Sequence, residues 1–345
     1  MELRQATLES LVTRPDFWHS RNVLVTGATG LVGSWLCGRL LGSGARVAAL
    51  VRDVDPQSQL LSSGDYQRLS VVNGDLADLQ AVERAIVQHG AETVFHIGAQ
   101  AVVAVGEALP IETFESNIRG TYNVLEACRR QSRVVRRVVV ASSDKAYGTQ
   151  EHLPYTEDMP LEGRRPYEVS KSCADLLARA YFESYGLPVG IARCGNIYGG
   201  GDLNWSRLIP DTIRSTLHGE APVLRSNGRH IRDFVYVKDV VDAYLTLAEA
   251  LDDEGIHGQA FNFSAERPYT VIEVVEAIQK LLPEGARPPV ILDVAQGEIE
   301  SQYLDSSKAR KRLGWSAAYP LEQGLRETIA WYRNLLGDPE PARVG

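Results

Sequence analysis

The 345-residue chain has little cysteine, no long apolar run and no excess of basic residues. Its four cysteines lie far apart without a C-x-x-C pair, so neither a disulfide framework nor a cysteine zinc site is predicted. The seven histidines show no metal-ligand spacing, so no metal is expected. No apolar run approaches the length of a membrane span, and residues 1–20 lack the apolar core of a signal peptide. The cytoplasm is therefore the expected compartment.

The charge of the chain gives no indication of a nucleic-acid partner. The net charge is −8, and no stretch of the chain carries the broad basic surface that nucleic-acid binding needs, so no nucleic-acid partner is expected. Hydrophobic residues make up 44% of the chain, enough for a large core in one big domain or two closely packed lobes.

Short β-rich runs alternate with helix-length amphipathic segments through the first half of the chain. The predicted strands are Asn22–Thr26, Arg46–Val51, Thr93–Ile97, Arg137–Ala141 and Val189–Ala192. The predicted helices are Leu31–Leu41, Asp78–His89, Ile111–Arg130 and Tyr167–Tyr185. This β-α-β-α order predicts an α/β protein with a Rossmann-type, doubly wound parallel sheet.

A glycine-rich turn joins the first predicted strand to the first predicted helix. Gly27, Gly30 and Gly33 keep side chains away from the helix N-terminus, where free N–H groups and the helix dipole can bind a pyrophosphate. The spacing is G-x-x-G-x-x-G, and Thr29 and Leu31 lie within the same turn. The turn and its position after the first strand predict a bound dinucleotide cofactor.

The ends of the second and third strands bear on which dinucleotide binds. An acidic residue such as Asp53 would bind the adenosine ribose hydroxyls of NAD, whereas the adjacent Arg52 could hold the extra phosphate of NADP. NAD is the first expectation and NADP stays open, as does the alternative that both are solvated loop charges. After the third strand, Asp75 is predicted to reach the adenine and Leu76 to contact the cofactor, although Asp75 could also cap the following helix.

The pattern of elements loosens after about Arg193, where glycine, proline and asparagine become common. We therefore predict an N-terminal extension over residues 1–20 and a dinucleotide-binding Rossmann domain over 21–193. Residues 194–345 are expected to form mainly a smaller substrate-binding lobe, with some segments returning to the sheet.

Tyr167 and Lys171 are four residues apart on a predicted helix and therefore share one face. A lysine ammonium beside a phenol favours the phenolate, which could take the proton of a hydroxyl while hydride leaves its carbon. A buried strand ends just before Ser143-Asp144-Lys145, at the edge where ligands bind in open α/β sheets.

Four motifs together resemble the extended short-chain dehydrogenase/reductase family, which includes NAD-dependent epimerases and dehydratases, from about Phe17 to Trp315. These motifs are Thr26–Gly33, Phe95–Gln100, Ser143 and Pro166–Lys171. The resemblance implies a catalytic triad of Ser143, Tyr167 and Lys171, the latter two also contacting the cofactor. It further implies cofactor contacts at Ala99 and Gln100 and a substrate contact at Asn117. A homodimer built on the helices Ile111–Arg130 and Tyr167–Tyr185 is also implied.

Within that family, three segments resemble CDP-glucose 4,6-dehydratases. They are Phe17-Trp18 with Gly33–Leu36, then Ser143-Asp144-Lys145, and then Arg193–Asp202 followed by Arg207–Asp211. One segment, Arg229–Val237, instead follows the general epimerase/dehydratase pattern. The resemblance therefore implies a nucleoside-diphosphate hexose as substrate, with CDP-glucose first, and leaves the base and the sugar open.

A 4,6-dehydratase oxidises the sugar at C4 and must also remove the C5 proton and expel the C6 hydroxyl. The resemblance implies that Asp144 and Lys145, which follow Ser143, carry out these two further steps. A neutral Lys145 would remove the sugar C5 proton, and a protonated Asp144 would donate to the departing C6 hydroxyl. Both ionisation states oppose the ordinary pKa values, so burial or mutual coupling must shift them. The alternative is that the two side chains form a structural ion pair.

Asn196, Arg207 and Arg232 are candidate contacts for the substrate diphosphate, since arginine forms paired hydrogen bonds with phosphate. The alternative for both arginines is a surface or structural role. Two other functions remain open: a nucleotide-sugar 4-epimerase, which needs no Asp144 or Lys145, and a non-catalytic cofactor-binding scaffold on the same fold.

Overall fold

The structure is a computed structural model that describes residues 16–294 and 298–337. Most of the predicted N-terminal extension, residues 1–15, lies outside the described residues. Within them, no helix is long and apolar enough to cross a membrane.

The strands in chain order are β1 (Asn22–Thr26), β2 (Arg46–Val51), β3 (Ser70–Asn73), β4 (Thr93–His96), β5 (Arg137–Ala141), β6 (Val189–Cys194), β7 (Asn196–Tyr198), β8 (Val223–Leu224), β9 (Ile231–Tyr236), β10 (Ala260–Phe263), β11 (Pro268–Thr270), β12 (Val290–Ile291) and β13 (Ser301–Gln302). The helices are α1 (Leu31–Gly42), α2 (Gln59–Ser62), α3 (Leu79–His89), α4 (Val103–Ala108), α5 (Pro110–Phe114), α6 (Gly120–Arg130), α7 (Pro166–Tyr185), α8 (Leu208–Leu217), α9 (Val237–Ala250), α10 (Val271–Leu281), α11 (Ser307–Leu313) and α12 (Leu321–Leu336).

The central sheet has seven strands in the order β10-β6-β5-β4-β1-β2-β3. Every neighbouring pair in it is parallel. Val138, Val139 and Val140 of β5 are fully buried, as expected for a strand covered on both faces. The predicted Rossmann-type α/β fold is confirmed.

Helices cover both faces of this sheet. On one face α1 lies beside α9, and on the other α6 lies between α3 and α7. The two apolar layers are separate hydrophobic clusters, with Leu36 and Leu245 in the first and Ile86 and Leu125 in the second. The sheet is therefore a rigid support for the loops at its carboxyl end.

The helix predicted over Ile111–Arg130 is divided in the structure. Pro110 begins α5, a π-helical turn follows over Glu115–Arg119, and α6 begins at Gly120. A π-turn admits one extra residue and often marks a functional site. Here it buries Asn117, whose side chain points at the loop after β4.

Beyond Arg193 the chain alternates between the central sheet and a smaller lobe. β10 lies beside β6 in the central sheet. β9 pairs with β7, β11 and β13 in a separate mixed sheet. The domain boundary at Arg193 stays a prediction.

Candidate functional site

The strand order reverses between β1 and β4, because the chain proceeds from β1 to β2 and β3 on one side and from β4 to β5 and β6 on the other. A crevice forms at such a reversal, outside the carboxyl ends of the strands. The glycine-rich turn follows β1, residues 97–102 follow β4, and Ser143 follows β5. All three segments therefore meet at this edge.

The glycine-rich turn is shaped for a close ligand. Gly27 has a left-handed φ of 71°, and a Cβ there would lie 2.6 Å from the Gly98 Cα. A Cβ at Gly33 would lie 2.0 Å from the Gly27 carbonyl oxygen. Gly30 is the N-cap residue of α1 and has no side chain that could accept from the N–H groups of the first turn. These N–H groups, beginning at Leu31, therefore remain available to a ligand. This arrangement fits the pyrophosphate of a dinucleotide.

The residues after β2 favour NAD. Arg52 Nε lies 2.6 Å from Asp53 Oδ2, and Arg52 Nη1 lies 3.8 Å from Asp75 Oδ2. Two carboxylates thus offset the arginine charge that an NADP phosphate would need. The Thr29 hydroxyl donates to the Asp53 carbonyl oxygen at 3.3 Å, which joins this loop to the glycine turn.

The loops after β3 and β4 are held by amide side chains. Asn117 accepts from the Gln100 N–H at 2.7 Å and donates to the Gln100 carbonyl oxygen at 2.9 Å and to Ser170 Oγ at 2.9 Å. Asn123 donates to the Leu76 carbonyl oxygen at 2.8 Å. Asn117 therefore orders the segment that carries Ala99 and Gln100, and its predicted substrate contact stays a prediction.

Asp75 does cap a turn, because its Oδ1 accepts from the Ala77 N–H at 2.8 Å. The cap of α3 itself is Asp78, which accepts from the Gln80 N–H. The predicted adenine contact of Asp75 stays a prediction beside this structural role.

Tyr167 and Lys171 lie in the first two turns of α7, which Pro166 begins. Lys171 Nζ donates to the Ala141 carbonyl oxygen at 2.9 Å, and burial lowers its pKa to about 8. Burial raises the pKa of Tyr167, while the Arg207 charge and a hydrogen bond with Ser143 oppose the increase. Desolvation of the phenolate outweighs the nearby positive charge in this structure, and the predicted stabilisation of the phenolate by Lys171 stays a prediction.

Ser143, Asp144 and Lys145 form a compact group at the end of β5, where a 3₁₀ turn covers Asp144–Tyr147. Ser143 Oγ donates to Asp144 Oδ1 at 3.0 Å and accepts from the Lys145 N–H at 3.2 Å. Lys145 Nζ lies 3.7 Å from Asp144 Oδ2, an oxygen that is buried and lacks a hydrogen-bond partner among the described residues.

The surroundings of Lys145 lower the pKa of its amine. Its pKa is lowered, first by burial and then by the Arg232 charge, although Asp144 acts in the opposite direction. This direction is the one that the predicted base requires.

The smaller lobe supplies cationic and amide groups around this turn. Arg207 pairs with Asp202 at 3.1 Å, and its charge acts on Tyr167. Arg232 is mostly buried and donates to the Ile231 carbonyl oxygen at 2.9 Å. The Asn196 amide nitrogen is buried and has no partner in the described part of the chain. The sequence predicted all three as substrate contacts; Asn196 lies on β7, Arg207 precedes α8 and Arg232 lies on β9.

Several residues around the site had no predicted role. Arg193 forms a paired bond with Asp175 at 2.7 and 2.9 Å and donates to the Tyr147 hydroxyl at 2.7 Å. Tyr147 in turn donates to Asn262 Oδ1 at 2.8 Å. This network fixes the turn that carries Lys145. Arg193 is the first residue of the segment Arg193–Asp202 and Tyr147 closely follows Ser143-Asp144-Lys145, but nothing local in the sequence connects Asn262 to them.

Comparisons with known proteins agree with this geometry. The sequence profile of the NAD dependent epimerase/dehydratase family matches residues 23–263. CDP-glucose 4,6-dehydratase of Salmonella typhimurium is 32% identical to this chain over 336 residues, which cover 92% of each protein.

Two solved structures share the fold. dTDP-glucose 4,6-dehydratase from Bacillus anthracis in complex with NAD matches with a TM-score of 0.80 and 26% identity, covering 93% of this chain and 99% of that one. UDP-glucose 4-epimerase from Thermotoga maritima with UDP-glucose matches with a TM-score of 0.82 and 26% identity, covering 91% and 99%. The predicted resemblance is confirmed, and the chain belongs to the NAD dependent epimerase/dehydratase family.

Proposed function

We propose that this chain is an NAD-dependent nucleoside-diphosphate-hexose 4,6-dehydratase, with CDP-glucose as the first substrate to test. The observation that carries the proposal is the pairing of partly buried Lys145 with buried Asp144, next to Ser143 at the end of β5. An epimerase needs only oxidation and reduction at C4. A dehydratase also needs a base for the C5 proton and an acid for the C6 hydroxyl.

NAD would lie along the glycine-rich turn, with its pyrophosphate against Gly30 and the first turn of α1. When bound, it supplies the hydride acceptor for C4 and the hydride donor for C6. The residues proposed to hold it are Gly27, Thr29, Gly30, Leu31, Gly33, Arg52, Asp53, Asp75, Leu76, Ala99, Gln100, Tyr167 and Lys171.

Tyr167 takes the proton of the 4-hydroxyl while C4 is oxidised to a ketone. Burial raises the pKa of its phenol, so the phenolate depends on positive charge and hydrogen-bond donors around it. Arg207 and Ser143 supply part of that stabilisation. Lys171, bonded to the Ala141 carbonyl oxygen, holds a further positive charge on the same helix face.

The new ketone acidifies the C5 proton, and the neutral amine of Lys145 removes it. Asp144 gives a proton to the C6 hydroxyl, which leaves as water while a C5–C6 double bond forms. Reduction at C6 and return of a proton to C5 complete the product. The net change is loss of one water and formation of a 4-keto-6-deoxy sugar nucleotide.

Arg207, Arg232, Asn196 and Asn117 are the proposed substrate contacts. The two guanidinium groups suit a diphosphate, and the Asn196 amide nitrogen has no partner within the described residues. The similarity to CDP-glucose 4,6-dehydratase supports cytidine as the base.

The first test is mass spectrometry of nucleoside-diphosphate hexoses after incubation with the purified protein. Loss of one water from CDP-glucose is the expected result. An unchanged mass with inverted configuration at C4 would establish an epimerase instead. UDP-glucose 4-epimerase is one of the solved structures that share this fold.

Lys145→Ala separates the two halves of the reaction. This variant should still bind NAD and oxidise C4, but water loss should fall by roughly 10²–10⁴-fold, the usual contribution of a general base. Tyr167→Phe should lose the oxidation as well, whereas Lys280→Ala, at an exposed position on α10, is the matched control. Normal water loss in Lys145→Ala would contradict the assigned role.

We also propose a homodimer that packs through α6 and α7. Exposed apolar side chains on these helices and just before them support this arrangement, among them Ile111, Tyr122 and Leu176. A cytoplasmic location is proposed as well, and the four free thiols are compatible with its reducing conditions. Size-exclusion chromatography with light scattering tests the dimer.

A further inference from the structure

Gln302 touches both residues that the proposed reaction needs for water loss, yet that reaction gives Gln302 no role. Its side chain is completely buried. Its Oε1 accepts a hydrogen bond from Lys145 Nζ, and its Nε2 donates to the Asp144 main-chain oxygen at 2.9 Å. One amide thus joins the proposed base to the backbone of the proposed acid.

The Asp144 contact decides which way this amide faces. A carbonyl oxygen can only accept, so the group that meets Asp144 must be the NH₂ of Gln302. The amide oxygen therefore faces Lys145. An amine and an ammonium can both donate to this oxygen, so Gln302 can hold Lys145 without requiring its positive charge.

The backbone that carries Gln302 is fixed on both sides. β13 is parallel to β9, with Gln302 opposite Arg232. The Leu304 N–H donates to buried Asp233 at 3.3 Å. On the other side, the Tyr155 N–H donates to the Tyr303 carbonyl oxygen at 2.9 Å. Gln302 is consequently a rigid part of the site.

We propose that Gln302 is a positioning residue for Lys145. Its neutral amide oxygen holds one N–H of the Lys145 amine, and the amine lone pair remains free for the sugar C5 proton. The inference rests on the proposed dehydratase function.

The charges around Lys145 explain why an amide suits this position better than a carboxylate. Arg232 on β9 disfavours the ammonium, while Asp144, Glu168 on α7 and Glu298 favour it. Burial outweighs these carboxylates, so the pKa of Lys145 is lowered. A carboxylate in place of the Gln302 amide would add negative charge at the amine itself and favour the ammonium, which is no base.

Gln302→Glu and Gln302→Met test the inference, with Gln80→Glu on the exposed face of α3 as the charge-matched control. For each variant, kcat and KM for water loss are measured against pH. Exchange of the C5 proton with solvent deuterium is followed in parallel. Cofactor binding and thermal unfolding show that each variant is folded.

Gln302→Glu should lose about tenfold or more in kcat near neutral pH and recover as the pH rises. The limb of the pH profile in which kcat rises as Lys145 loses its proton should move up by about 1–3 pH units, the usual effect of an adjacent opposite charge. Gln302→Met should lower kcat and C5 exchange by about tenfold at every pH, with KM and the limb unchanged, because it removes a hydrogen bond to a reacting group.

Two outcomes would overturn the inference. One is equal loss of kcat in both variants with no movement of the pH limb, which is the result of a packing role alone. The other is full activity in Gln302→Met. If the unmodified protein removes no water from any substrate, the proposed function fails and the inference fails with it. That result differs from a dehydratase that tolerates both substitutions.

Discussion

The paired bond between Arg193 and Asp175 gives a quantitative prediction about what holds the catalytic turn. The side chains are 6% and 3% exposed, and Arg193 also bonds the Tyr147 hydroxyl. Arg193→Met leaves the Asp175 carboxylate buried without its partner, which should lower the free energy of unfolding by about 3–5 kcal/mol. The corresponding fall in melting temperature is about 4–7 °C for a chain of 345 residues.

Thermal and urea unfolding, followed by circular dichroism, measure this change. The double variant Asp175→Leu with Arg193→Met should be less destabilised than Arg193→Met alone, because no buried charge remains unpaired. Arg326→Met is the control, since Arg326 and Glu322 form an exposed pair on α12 and its loss should leave the melting temperature unchanged.

A change below about 1 kcal/mol for Arg193→Met would refute the reasoning, because it would show that water reaches Asp175 or that the turn adjusts. A double variant less stable than both single variants would also refute it. That result would mean that packing around the pair, and not its charge, determines the stability.

Two further predictions concern carboxylates. Burial raises the pKa of Asp233 to about 7, so between about pH 4 and pH 7 this carboxyl binds more protons in the folded chain than in the unfolded chain, and its contribution to stability should fall as pH rises. Asp233→Asn should remove this fall, which unfolding midpoints at several pH values would reveal, and an unchanged pH dependence would contradict it. Asp53→Ser should release Arg52 for a 2′-phosphate and shift the ratio of NAD to NADP affinity by about tenfold toward NADP, as measured by calorimetry on cofactor-free protein. An unchanged ratio would show that the pair does not select the cofactor.

Local sequence patterns were enough to predict the fold and the edge of the sheet at which the candidate site residues lie. β1, β2 and β5 have the predicted bounds, because buried parallel strands are short apolar runs with glycine or charge at their ends. The α3 prediction differs by one residue, since Asp78 caps the helix and does not lie inside it. The helix over Ile111–Arg130 could not be predicted in detail, because a π-turn depends on what Asn117 contacts across the site.

Contacts between segments that are distant in the sequence could not be predicted from local patterns. Gln302 lies 157 residues from Lys145 and has no motif of its own. Asn262 reaches Tyr147 across 115 residues. Such pairs arise only when β10 and β13 take their places in the two sheets.

The sequence by itself determined that a cofactor turn follows β1 and that Tyr167 and Lys171 share a helix face, because both depend on the spacing of neighbouring residues. It also placed Asp144 and Lys145 at a strand end. The tertiary structure decided how the pKa values of Tyr167 and Lys145 are shifted and which groups hold these side chains. Burial raises the pKa of Tyr167 and lowers that of Lys145, and Gln302 binds the Lys145 amine. Desolvation and long-range hydrogen bonds exist only once the chain has folded, so no local pattern contains them.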